Sequence, residues 1–146
     1  MKIILAKNAG FCFGVRRAVE LTEQTAAKVA ESGGAAKVFT FGELIHNRDV
    51  VNRLREAGIA PIESLDEAQR GDYVIIRSHG VPKKIYEELE TRGINFIDAT
   101  CPFVSNIHRI VSAAYERGEQ VFIVGNPEHP ETIGRNGHCG NSAIFI

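Results

Sequence analysis

Cysteine is scarce in this chain, and its arrangement excludes more than its number does. Three cysteines stand in 146 residues, and no two form a Cys-x-x-Cys pair. A zinc ribbon and a ferredoxin-type ligand run are thereby excluded. No sign of charge is in excess: 17 basic residues face 18 acidic ones, for a net charge of −1. That argues against a sequence-independent nucleic-acid binder, which is normally basic. There is no long apolar span for a membrane helix. Met1-Lys2-Ile3-Ile4-Leu5 is too short for a secretory apolar region and reads as a strand. The expected location is therefore the cytoplasm, where cysteines are free, catalytic or metal-bound more often than paired. Low-complexity tracts, charge blocks and strict repeats are also missing.

What remains is ordinary soluble, globular composition, 44% hydrophobic and 24% charged. The length suits one domain, or one and a part. Lys2–Ala6 reads as a strand, followed by a loop over residues 7–14. Val15, Ala18, Val19, Thr22, Ala26, Val29 and Ala30 form one helical stripe, stopped by Gly33-Gly34. Lys37–Phe41 reads as a strand. Asn47 is placed to cap a helix facing inward with Val50, Val51, Leu54 and Ala57. Ile59–Ile62 suits a short strand, though Pro61 weakens it. Tyr73–Ile76 reads as a buried strand, Pro82 opens a helix that Gly93 ends, and Phe96-Ile97 is the next strand. Gln120–Val124 and Ala143–Ile146 read as two more. Apolar strands alternating with helices predict an α/β fold: a parallel sheet with helices on both faces. Ala143–Ile146 resembles a strand cut off before its helix, so a truncated chain is expected.

Asp98-Ala99-Thr100-Cys101-Pro102 organises the reading. Pro102 suits the first position of a helix, and Val104, Ile107, Val111 and Ala114 follow at helical spacing. Cys101 then falls at the N-cap, where Ser, Thr, Asp and Asn are usual. The positive end of the helix dipole favours a thiolate there. A cysteine that merely packs is the alternative. His46, His79, His129 and Glu131 likewise follow strands, and Cys12 follows the first. Ligands of open parallel sheets bind beyond the carboxyl ends of the strands. Histidines on such a rim could hold a phosphate or diphosphate through charge-assisted hydrogen bonds, with helix N-termini adding N–H donors. A zinc site from Cys12, Cys101 and two histidines is a further composition of the same rim. His108, mid-helix, reads as structural or exposed, and Arg16, Arg17 and Lys28 as a solvated helix face. Glu131, after Pro130, has dipole stabilisation as its simplest role.

Five motifs occur in one order: Gly10-Phe11-Cys12-Phe13-Gly14-Val15, Gly42-Glu43-Leu44-Ile45-His46-Asn47, Arg77-Ser78-His79-Gly80-Val81, Asp98-Ala99-Thr100-Cys101-Pro102 and Gly125-Asn126-Pro127-Glu128-His129-Pro130-Glu131. Together they closely resemble the 4-hydroxy-3-methylbut-2-enyl diphosphate reductases, along almost the whole chain. The resemblance implies the last step of the non-mevalonate isoprenoid pathway, an iron–sulfur oxidoreductase reaction yielding isopentenyl and dimethylallyl diphosphate. It implies a [4Fe–4S] cluster held by three cysteines, with Cys12 and Cys101 as two of them. The third lies beyond residue 146, and Cys139 does not match it. His46, His79 and His129 correspond to diphosphate or substrate contacts, and Glu131 to the carboxyl that relays protons. An electron-donor protein such as ferredoxin or flavodoxin is implied as partner, with no nucleic acid and no membrane. The family fold has three α/β lobes. Residues 1–99 would form the first, with 1–13 a strand and cysteine loop normally shared with the third, and 100–146 the start of the second. The readings from other classes are a non-catalytic phosphate- or metal-binding module and a cysteine-dependent redox protein.

Overall fold

The computed structural model describes residues 1–7, 9–33 and 35–146. Strands and helices alternate in the order α1 (Phe13–Glu31), β1 (Val38–Phe41), α2 (Arg48–Glu56), β2 (Ala60–Ile62), β3 (Tyr73–Ile76), α3 (Lys83–Arg92), β4 (Asn95–Asp98), α4 (Pro102–Glu116), β5 (Phe122–Ile123), α5 (Pro130–Gly137) and β6 (Ile144–Phe145). The first four strands form one parallel sheet in the order β2-β1-β3-β4. Val74, Ile75 and Ile76 are completely buried, as central parallel strands require. Pro61 sits in β2, at the edge of the sheet, where a missing N–H costs no ladder bond.

Helices cover both faces, as the alternation predicts. On one face Ala18, Val19 and Val29 of α1 and Val50 and Leu54 of α2 pack with Val38 and Ile75. On the other, Ile85 and Leu89 of α3 pack with Val74 and Ile76. Each fully buried aliphatic side chain contributes roughly 1.5–3 kcal/mol. The strand order has a functional consequence. Neighbouring β1 and β3 send their following helices to opposite faces, so their exit loops diverge. A crevice opens between them at the carboxyl edge, which is where open α/β sheets take ligands. Beyond β4 the chain continues through α4 into a second, two-stranded parallel sheet, β5-β6, whose crossover is α5.

Three sequence expectations change. Lys2–Ala6 is not a strand: it has no ladder partner among the described residues, and Ile3, Ile4 and Leu5 lie exposed. A short apolar run alone does not hold a strand; the neighbour's hydrogen bonds do. The loop after it is shorter than expected, because α1 begins at Phe13 and makes Cys12 its N-cap. A 3-10 turn stands at Leu65–Glu67, where no element is expected, and Ser64 and Glu67 form its complete capping box. Gly34, half of the expected glycine stop after α1, lies outside the described residues. No helix among them is long and apolar enough to cross a membrane.

Candidate functional site

The carboxyl edge of the sheet is laced together loop by loop. Ser78, after β3, donates from its N–H and its hydroxyl to Leu44 O, after β1, at 3.2 and 3.1 Å. Cys101, after β4, donates its N–H to Ser78 O at 2.9 Å. These bonds fix the loops that carry His46, His79 and Cys101 as one unit. His46 and His79 thus flank the crevice between β1 and β3. Their ring centroids are 4.4 Å apart, and that of His129 lies 5.6 Å from His46 and 5.9 Å from His79. Residues separated by 83 positions in sequence form one cluster of three imidazoles. His129 is also the N-cap of α5, where its Nδ1 accepts from Glu131 N–H at 3.2 Å. That assigns the proton to Nε2, leaving an N–H for a ligand.

The cluster is poised to receive negative charge. Burial, then the neighbouring His46, Arg77 and His129, pushes the His79 pKa from 6.5 down to about 4. Its Nδ1 is buried without a partner among the described residues. Arg77, two residues earlier, lies over the backbone of Gly42, where any Cβ would come 2.5 Å from its Nη1. Its guanidinium stays protonated, although burial lowers its pKa. An arriving anion would reverse the like-charge penalty on His79 and draw a proton onto it.

A second histidine pair lies away from this cluster. His108 stacks on His138 with centroids 4.1 Å apart. His138 Nε2 lies 3.2 Å from Val81 O. Burial first, then His138, brings the His108 pKa to about 4 as well. Unfolded, both His79 and His108 would titrate near 6.5. Between the two values the unfolded chain binds more protons, so stability is complete above 6.5 and is lost as pH falls toward 4. Urea midpoints measured from pH 7.5 to 5 should therefore fall steadily below 6.5. A flat profile over that range would contradict these assignments.

Both rim cysteines begin helices. Cys12 caps α1 and Cys101 caps α4, with Pro102 in the first turn as the sequence predicts, and neither thiol makes a capping hydrogen bond. Gly14, in the first turn of α1, approaches so closely that a Cβ there would stand 2.6 Å from Cys101 Sγ. The N-terminal turns of two helices thus meet at Cys101, with Cys12 at the cap of one and Cys101 at the cap of the other. Cys139 differs: it is fully buried, and its thiol donates to Asn136 O at 3.3 Å. Glu131 is held in an ion pair with Arg135, one turn on. A groove of about 460 Å³ between α3, α4 and α5 is lined by Tyr86, Asp98, His108, Arg109 and His138 and contains none of the candidate site residues Cys12, His46, His79, Cys101, His129 and Glu131.

A family model described as LytB protein matches residues 3–146. The chain belongs to the LytB family. Among its relatives, the 4-hydroxy-3-methylbut-2-enyl diphosphate reductase of Thermoanaerobacter sp. (strain X514) is 47% identical over 148 residues, which take in 100% of this chain and 50% of that protein. The protein of the same name from Clostridium perfringens (strain 13 / Type A) is 49% identical over 145 residues, 98% of this chain and 50% of its own. A solved structure of (E)-4-hydroxy-3-methyl-but-2-enyl diphosphate reductase, described as the terminal enzyme of the non-mevalonate pathway, matches with a TM-score of 0.79 and 43% identity. That match covers 99% of this chain and 50% of the other. The chain spans about half the length of the curated relatives it matches. The family resemblance carried by the five motifs is borne out.

Several residues of this LytB-family chain that bear on the site were not found in sequence. Arg77 stands in the motif that carries His79 but has no role assigned there; it follows directly on β3 and its charge acts on His79. Arg17 is not a solvated helix residue: half-buried, it donates to Thr100 O and Asp98 O at 3.2 and 3.4 Å. His108 is structural and buried.

Proposed function

We propose that this chain is the N-terminal part of a 4-hydroxy-3-methylbut-2-enyl diphosphate reductase. In the proposed reaction, two electrons and two protons remove the 4-hydroxyl of (E)-4-hydroxy-3-methylbut-2-enyl diphosphate as water, leaving isopentenyl and dimethylallyl diphosphate. The observation that carries the reading is the three-imidazole cluster at the β1/β3 crevice, with Cys101 on the loop bonded to Ser78 next to His79. Three imidazoles and the Arg77 charge suit a diphosphate, which needs several donors and positive charge. His46, His79 and His129 bind and orient it in this reading. Glu131 delivers a proton to the substrate, from a position one backbone hydrogen bond away from His129.

Cys12 and Cys101 have the donor chemistry of two iron–sulfur ligands, while no group of three or more His, Cys, Asp or Glu that could hold a metal ion is assembled among the described residues. Both are thiols at helix N-termini, without capping bonds, where Cys139 has carbonyl partners. A [4Fe–4S] cluster bound there would supply electrons and a Lewis-acidic iron for the departing hydroxyl. Its third cysteine ligand, in this reading, lies beyond residue 146. Residues 1–99 serve as a first lobe and 100–146 as the start of a second. The site is cytoplasmic and draws electrons from a ferredoxin or flavodoxin.

The test uses the complete polypeptide, reconstituted anaerobically with iron and sulfide and assayed with the allylic diphosphate and an artificial reductant. Both products should form, and His79→Ala should raise KM roughly tenfold or more, the value of a charge-assisted hydrogen bond. A polypeptide that binds inorganic pyrophosphate yet leaves the allylic diphosphate unchanged would be a non-catalytic phosphate-binding module.

A further inference from the structure

The peptide unit joining Thr100 to Cys101 is held at both ends. Its N–H donates to Ser78 O at 2.9 Å. Its carbonyl accepts from Arg17 Nη1 at 3.2 Å, across 83 residues of sequence. The same guanidinium reaches Asp98 O at 3.4 Å, and Asp98 Oδ1 in turn accepts from Thr100 N–H at 2.9 Å. Fixing a peptide plane at both ends fixes the direction in which the next Cα–Cβ bond leaves it. Here that bond belongs to Cys101. Gly14, one turn before Arg17 on α1, lies against Cys101 Sγ with no room for a Cβ. One helix therefore sets the backbone of Cys101 through Arg17 and the place of its thiol through Gly14, while carrying Cys12 as its own cap.

We propose that Arg17 is a positioning residue for the Cys101 thiol, fixing its distance and direction relative to Cys12. The proposal rests on the reading of both cysteines as iron ligands. Polar partners that orient ligands are a recurrent determinant of metal retention. An arginine suits the task because its planar fork can serve two carbonyls at once, as a lysine ammonium on a flexible stem does less well. Arg16 is an internal control. It carries the same charge one residue away, but it is exposed, and among the described residues it reaches only Phe11 O, at 3.4 Å.

The complete polypeptide is reconstituted anaerobically as wild type, Arg17→Ala, Arg17→Lys, Arg16→Ala and Cys101→Ala, and iron loss to a chelator is timed. Arg17→Ala should lose iron about 10–100 times faster than wild type, Arg17→Lys should recover part of the loss, and Arg16→Ala should stay close to wild type. In the iron-free polypeptide, exchange of the Cys101 amide hydrogen should quicken about tenfold in Arg17→Ala, as the pinned peptide is freed on one side. Equal iron loss in Arg17→Ala and wild type would overturn the proposal. So would faster loss that simply tracks a lower melting temperature, with amide exchange raised alike throughout α1 and α4; Arg17 would then only stitch the helix to the sheet. Iron binding that persists unchanged in Cys101→Ala would remove the ligand reading itself, a result separable from the behaviour of the Arg17 variants.

Discussion

Cys101→Ala should abolish the iron–sulfur chromophore of the complete polypeptide, and reductase activity with it. The substitution is nearly neutral for the fold, because the thiol makes no capping hydrogen bond and is only partly buried. The backbone bonds that anchor the loop, from Cys101 N–H to Ser78 O and from Ser105 N–H to Cys101 O, survive it. What it removes is the sulfur ligand that Cys101 is proposed to supply at the start of α4. Three thiolates are proposed to hold the cluster, so losing one leaves too few for a stable four-iron site. The melting temperature of the iron-free polypeptide should move by no more than a few degrees, since surface and half-exposed changes rarely exceed about 0.5 kcal/mol. Iron content, absorbance and iron-free melting, measured together, separate the outcomes. A variant that keeps its chromophore would show that Cys101 is a packing cysteine. The parallel change Cys139→Ala should leave the chromophore in place, because that thiol is committed to Asn136 O inside the protein.

How far the sequence carries the argument differs from one residue to the next. The sheet was legible because Tyr73–Ile76 and its neighbours are apolar runs punctuated by helix starts and glycine stops. The cap position of Cys101 was legible because Pro102 has a fixed φ and a missing N–H that suit only a few places in a helix. The crevice followed from alternation together with the rule for carboxyl edges, although strand order, and so the meeting of His46 with His79, came only with the pairing of β1 and β3. Lys2–Ala6 misled because an apolar stretch reports a wish for burial and not the partner that provides it. Arg17, Gly14 and Arg77 act across tertiary contacts that no local pattern encodes. Within α1, Arg17 and Gly14 are three residues apart and therefore share a face, but nothing in the helix says that Cys101 lies opposite. The pairing of Glu131 with Arg135 was the nearest to a readable signal, being an i, i+4 pair of opposite charge.

Glu131→Gln is the variant expected to uncouple chemistry from binding most completely. Glutamine keeps the shape of the side chain and an oxygen able to accept from Arg135, but it has no proton to give. The backbone N–H of residue 131 still donates to His129 Nδ1, so the imidazole cluster keeps its geometry. The thiols of Cys12 and Cys101 are on other elements and are untouched. Turnover should therefore fall by about 10²–10⁴-fold, the usual contribution of a positioned proton donor. Iron content, spectrum and affinity for the diphosphate should stay within a few-fold of the wild type. A kcat that falls without a matching rise in KM marks an interaction used in the transition state and not in the ground state. The ion pair gives the experiment a second arm. Arg135 pairs with the Glu131 side chain, so Arg135→Leu would leave Glu131 without its partner while keeping its capacity to carry a proton. That variant should lose far less activity than Glu131→Gln. If Glu131→Gln turns over at nearly the wild-type rate, the carboxylate serves the start of α5, stabilising the helix dipole and pairing with Arg135, and the proton comes from elsewhere.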